Sequence, residues 1–204
     1  MILIKGGRIV DPFTGREGVS DVLIKGHKIV RVDPDIEVRD GDEVIDASGL
    51  VVAPGLMDGH VHFRDPGFTE KEDIFTGADA AKKGGFTTVV CMANTAPPVD
   101  NTKTLDYVIK RGEKTGIHVL SGATVTLGMK GKELTDMAAL STHGAVVFTD
   151  DGLPVMDEKV LLAAFKKAKE LHVPVSLHEE DPAFVYAPGV NRGEVSKKLS
   201  YGGA

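Results

Sequence analysis

The sequence predicts an α/β fold: a partial (β/α)8 TIM-like barrel of about five βα units, preceded by a small antiparallel β domain. Three observations predict it. Glycine-punctuated β segments fill the first 50 residues. From Leu50 onward, short apolar runs alternate with amphipathic stretches over short links, which is the pattern of a parallel sheet. Polar residues then collect just past the ends of successive apolar runs, and in a parallel βα array those ends share one rim. Residues 1–52 are assigned to the β domain and 53–204 to the barrel segment.

In chain order, Ile2–Val10 is echoed by Val22–Val30, each reading as strand, glycine turn, strand. Glu43–Asp46 reads as a further β segment. Leu50–Ala53 and Leu56-Met57 read as a buried strand interrupted by Pro54-Gly55 and leading into Asp58-Gly59-His60-Val61-His62. A helix over about Glu72–Lys83 stops at Gly84-Gly85. The β-branched run Thr87–Met92 is a second strand. A helix follows over about Asn101–Lys114, then a strand at Ile117–Ser121 and a short helix near Thr135–Thr142. Ala145–Phe148 is the fourth strand. The next helix puts Leu161, Ala164, Phe165 and Ala168 on one face. Val173–Leu177 is the fifth strand, ending at His178, and the last 20 residues, through Tyr201–Ala204, read as loop. Such an open sheet leaves its outer strands unpaired, which favours either aggregation or assembly with another chain.

Composition narrows the function classes. A hydrophobic content of 42% with 26% charged residues is that of an ordinary globular chain. The net charge of −6, without a basic run, argues against nucleic acid or an anionic membrane as partner. The apolar run at Met1–Ile4 is too short for a signal peptide, and no stretch is long enough to span a bilayer. Cys91 is the only cysteine, so no internal disulfide forms, and a cytoplasmic location is expected.

The chemistry is carried by the rim. In a strand, His60 and His62 share a face, so two imidazoles can converge on one metal ion. His178 and a carboxylate from Asp150-Asp151 sit at other strand ends. One of those aspartates is expected to cap a turn before Gly152, and the other to bind metal, with zinc, cobalt or manganese suited to such ligands. Arg64 is either a clamp for a substrate carboxylate or a salt-bridge partner of Asp65 or Glu70. Asn94 offers both donor and acceptor, or is a turn residue before Pro97-Pro98. His27, His118, His143 and His172 fall in a hairpin, at strand starts or at a helix end, and are read as structural. Lys130 and Lys132 are read as solvated, and Cys91 as inert core.

The run Ala53-Pro54-Gly55-Leu56-Met57-Asp58-Gly59-His60-Val61-His62 resembles the first-strand signature of the amidohydrolase superfamily. Its continuation Phe63-Arg64-Asp65-Pro66-Gly67 is similar to dihydroorotases. Gly84–Thr88, Met92–Thr95, Phe148–Gly152 and His178–Glu180 follow in that family's order, closest to the long bacterial (type I) form. Where the family has Met-Pro-Asn-Thr, this chain has Met92-Ala93-Asn94-Thr95. The resemblance implies a metal-dependent cyclic amidohydrolase interconverting N-carbamoyl-L-aspartate and L-dihydroorotate in pyrimidine synthesis. It implies His60, His62, Asp151 and His178 as ligands of one or two Zn2+ ions, with Arg64 and Asn94 holding the substrate carboxylate. It implies a further histidine ligand and a catalytic general acid/base aspartate beyond Ala204, so no catalytic residue is located in this chain, which reads as a fragment. Homo-oligomers and association with aspartate transcarbamoylase are the partners it implies, and a non-catalytic subunit is an alternative. Hydantoinases and allantoinases commonly use a carboxylated lysine at the fourth strand, and no lysine lies between Ala145 and Gly152.

Overall fold

The computed structural model describes residues 1–185 and 190–200, and the tail expected to be loop at Tyr201–Ala204 lies outside them. The chain divides into two compact units, Met1–Gly55 and Leu56–Ala204.

The first unit is one sheet. Strands β1 (Ile2–Asp11), β2 (Arg16–Lys25), β3 (Lys28–Asp33), β4 (Glu43–Asp46) and β5 (Val51–Val52) are ordered β3-β2-β1-β4, with β5 also on β1. Antiparallel pairing is confined to β1–β2 and β2–β3; β4 and β5 run parallel to β1, so the sheet is mixed. The sequence echo has two different outcomes. Lys25-Gly26-His27-Lys28 is the expected turn between β2 and β3. Lys5-Gly6-Gly7 is a bulge inside a continuous β1, with the register shifting between Ile4 and Gly7. The buried Asp21 carboxylate holds the bulge, accepting from Gly6 N at 2.7 Å and from Lys5 Nζ at 3.1 Å. Glycine is required at position 7, because a Cβ there would sit 2.4 Å from Val52 Cγ2 of β5.

The second unit alternates strand and helix. Parallel strands β6 (Leu56–Val61), β7 (Phe86–Cys91), β8 (His118–Ala123) and β9 (Ala145–Phe148) lie in that order. The described α-helices are α1 (Ile74–Lys83), α2 (Thr102–Gly112), α3 (Met137–Thr142), α4 (Glu158–Leu171) and α5 (Glu194–Leu199), and a 3-10 turn spans Leu127–Met129. Each of the first four begins on a side-chain cap, Asp73, Asn101, Asp136 and Asp157, whose oxygen accepts an otherwise unpaired backbone N–H. The main core lies on the helix-covered face and includes Phe63, Ile74, Val89, Cys91, Leu105, Leu140, Phe148 and Ala164. Val90, Met92 and Val147 form a smaller cluster of their own. Burial drives the Cys91 thiol up to about 12, so it carries no thiolate at neutral pH and stays inert, as expected.

Four further expectations are corrected. The apolar run before the histidines is not one buried strand. Val51–Val52 pairs with β1 in the first unit, while Leu56 and Met57 open β6, a sheet edge, and are 53% and 64% exposed. The fifth strand reduces to a bridge between Val175 and Phe148, because Pro174 has no N–H to donate to a neighbour. On α4, Ala164 and Ala168 are buried but Phe165 is 43% exposed. The last 20 residues, expected to be loop, contain α5. No described helix is long and apolar enough to cross a membrane.

Candidate metal centre

Strand parity builds the site. Val61 and Phe63 pack on the helix-side core, so His60 in β6 and His62 just past its end project to the opposite side. Beyond β7, Ala93 belongs to the same helix-side core, and the neighbouring Asn94 takes the other side. At the end of β9, Phe148 is in that core while Val147 is in the smaller cluster, and Asp151 lies in the turn that follows, its carboxylate against His62. The loop after β6 is pressed against the loop after β7. Ala96 N donates to Pro66 O at 2.9 Å, and Gly67, at φ +96°, has Ala96 O where a Cβ would be.

The structure brings His60, His62 and Asp151 together, with one donor atom from each within 4.8 Å of the others. His60 Nε2 is 3.3 Å from His62 Nε2. Asp151 Oδ2 is 3.5 Å from His60 Nε2 and 3.2 Å from His62 Nε2. Two atoms each bound to a tetrahedral zinc at about 2.0–2.1 Å lie roughly 3.3 Å apart. The three separations therefore match the edges of one face of such a site. Imidazole and carboxylate donors suit a first-row transition ion better than calcium or magnesium. The donor set thus fits one metal ion, and three electron-rich atoms at this spacing need a cation or a proton among them.

His178 stands beside this trio without joining it. Its Nδ1 is 3.5 Å from Asp151 Oδ1, not the oxygen that faces His60 and His62, and its Nε2 is 3.5 Å from Glu180 Oε2. Asn94 touches two of the three: its Oδ1 is 3.0 Å from His62 Nδ1, and its Nδ2 is 3.3 Å from Asp151 Oδ2. The guanidinium of Arg64 makes no hydrogen bond or ion pair with any described residue, so neither Asp65 nor Glu70 holds it. Arg64 also has a φ of +58°, which a non-glycine residue adopts only when its surroundings impose it.

The two aspartates before Gly152 separate cleanly. Asp150 is buried and reaches back to the loop after β8, accepting from Val125 N at 2.8 Å, from Thr126 N at 3.2 Å and from the Thr126 hydroxyl. Burial raises its pKa against those hydrogen bonds. It therefore ties two strand ends together and does not cap its own turn. Sequence reasoning missed a second anchor. The buried Asp65 carboxylate accepts from Tyr107 Oη at 2.9 Å and pairs with Arg111 Nε at 2.9 Å, on α2. No local pattern marks those partners. Cavity size does not locate the chemistry either: a cleft of about 620 Å³ in the first unit is lined by Ile4, Ile9, Val22 and Ile24 among others and by none of the candidate residues. Donor geometry is the better guide, because ligation needs lone pairs at fixed distances and not apolar volume.

Comparison with known proteins gives a consistent result. Residues 49–203 match the profile of a family described as dihydro-orotase-like. Over 204 residues the chain is 55% identical to a dihydroorotase of Clostridium acetobutylicum and 54% identical to one of Clostridioides difficile, covering all of this chain and 48% of each relative. The chain thus spans about half the length of the curated relatives it matches. Among solved structures, an L-hydantoinase from Arthrobacter aurescens superposes with a TM-score of 0.78 at 20% identity, covering 90% of this chain and 42% of that one. A D-hydantoinase superposes with a TM-score of 0.72 at 27% identity, covering 90% and 41%. The second unit is accordingly part of a (β/α) barrel of the amidohydrolase type, with a β-sheet subdomain ahead of it.

Proposed function

The chain belongs to the dihydroorotase-like family, and from that premise we propose that it serves as a dihydroorotase, a zinc-dependent cyclic amidohydrolase interconverting L-dihydroorotate and N-carbamoyl-L-aspartate. The observation that carries this reading is the convergence of His60 Nε2, His62 Nε2 and Asp151 Oδ2 at 3.2 to 3.5 Å from one another. When bound there, zinc would lower the pKa of a water molecule to about 7 and polarise an amide carbonyl. Asp151 Oδ1 and His178 Nδ1 offer donors on the other side of the same carboxylate, where a second ion would find them. The chain's own residues supply the rest. Arg64, whose guanidinium pairs with no described residue, presents two N–H groups in the planar fork that a carboxylate matches. We assign no residue of this chain to proton transfer.

A hydantoinase is the second reading, favoured by the solved structures of similar fold. Substrate chemistry separates the two, because dihydroorotate carries a carboxylate and hydantoin and allantoin do not. The test is calorimetric binding to the zinc-loaded chain, together with turnover of the three compounds. Dihydroorotate is expected to bind most tightly; a preference for hydantoin would overturn the assignment. Arg64→Lys, which keeps the charge and loses the fork, is expected to weaken dihydroorotate binding about tenfold while zinc affinity stays within about twofold. Equal loss of both would make Arg64 a structural residue.

A further inference from the structure

We propose that Asn94 is a positioning residue for the metal centre: one side-chain amide sets the tautomer of His62 and the orientation of Asp151. This inference rests on the metal-centre reading above and adds a residue to it. The backbone of Asn94 lies in a tight turn, where Thr95 N donates to Ala93 O at 2.9 Å, and an asparagine there would ordinarily serve only that turn. Its side chain does otherwise. It reaches residues 32 positions before it and 57 positions after it in sequence, and both are members of the donor trio.

The direction of each bond follows from what each atom can do. Asp151, once ionised, is acceptor-only, so the group facing its Oδ2 at 3.3 Å and its backbone oxygen at 3.4 Å must be the amide nitrogen. The opposite orientation would set the amide oxygen against a carboxylate. Asn94 Oδ1 is thereby left facing His62 Nδ1 at 3.0 Å, and an amide oxygen can only accept. Nδ1 of His62 therefore carries the proton, and Nε2 carries the lone pair. That lone pair is the one directed at the shared position between His60 Nε2 and Asp151 Oδ2. The carboxylate orients the amide, the amide selects the tautomer, and the tautomer presents the ligand atom. Partners of this kind fix ring orientation and ligand basicity at metal sites, and their loss typically weakens metal affinity 10- to 100-fold.

The test uses the full chain and Zn2+ as the probe. Zinc affinity is measured by chelator competition for the unaltered chain, Asn94→Ala and Asn94→Asp. The tautomer of His62 is read by long-range 1H–15N NMR on the metal-free chains. Asn94→Ala is expected to weaken zinc binding about 10- to 100-fold and to release His62 from the Nδ1-protonated form. Asn94→Asp still accepts from Nδ1–H but sets an oxygen against Asp151 where the amide nitrogen stood, so it is expected to keep that form while zinc binding stays weak. A substitution that merely loosened the loop would release His62 from that form in both variants. Asn94→Ala binding zinc within about twofold of the unaltered chain, or His62 remaining Nδ1-protonated in it, would overturn the inference while leaving the metal centre standing. An unaltered chain that takes up no zinc would overturn both.

Discussion

Replacing His60 and His62 together by alanine is expected to abolish tight zinc uptake, lowering affinity by more than about 1,000-fold. Of the three donors that meet, the double variant keeps only Asp151. Zinc affinity at protein sites is on the order of 10–16 kcal/mol for a full ligand set, and each 1.4 kcal/mol is a factor of ten. Losing two imidazoles needs to remove only about 4 kcal/mol of that to reach the stated factor. The fold should tolerate the change. The His60 and His62 side chains are 47% and 30% exposed, at the edge of the sheet, and neither belongs to the main core. Exposed substitutions of this kind alter stability by about 0.5 kcal/mol or less. Zinc content after gel filtration, measured beside a thermal melt, checks both halves. An unchanged zinc content in a folded double variant would remove the ligand assignment.

The largest effect on stability is expected from Arg111→Ala. Asp65 is 2% exposed, and its carboxylate is balanced by Arg111 Nε and by the hydroxyl of Tyr107. The Arg111 guanidinium also stacks over Phe75 at 4.6 Å and Tyr107 at 5.5 Å. Removing one partner of a buried pair leaves an uncompensated charge, at a cost of about 3–5 kcal/mol. The Arg111 side chain is 31% exposed and water can screen the pair, so the lower end, about 3 kcal/mol, is expected. Removing both charges at once, in Asp65→Leu with Arg111→Met, is expected to be milder, because no orphan charge remains. Urea unfolding of both variants measures the difference. A loss below about 1 kcal/mol in Arg111→Ala would show that the pair does not hold the loop carrying Arg64.

Some of this was legible residue by residue. The histidine pair shows in sequence because side chains alternate along a strand, and a spacing of two survives any tertiary arrangement. The helix ends show for the same local reason: Gly84-Gly85 closes α1, with Gly85 at φ +84°. The bulge at Lys5-Gly6-Gly7 was not legible, because the same Lys-Gly pair makes a turn at Lys25-Gly26. What separates them is Asp21 reaching Gly6 and Val52 pressing on Gly7. Nor could the spelling Asp150-Asp151 tell which carboxylate faces His60 and His62, since both stand before the same glycine.

The local pattern of residues by itself determined the alternation of strand and helix, the shared face of His60 and His62, and the gathering of polar groups at one end of the strands. Those features depend on the periods of the backbone and on turn chemistry, which act over a few residues. Tertiary structure alone decided that Asp151 meets the histidines while Asp150 braces a neighbouring strand end. It alone paired Asp65 with Arg111 and brought Asn94 between His62 and Asp151. Contacts between residues tens of positions apart leave no periodic trace along the chain; the packing of adjacent strand ends creates them.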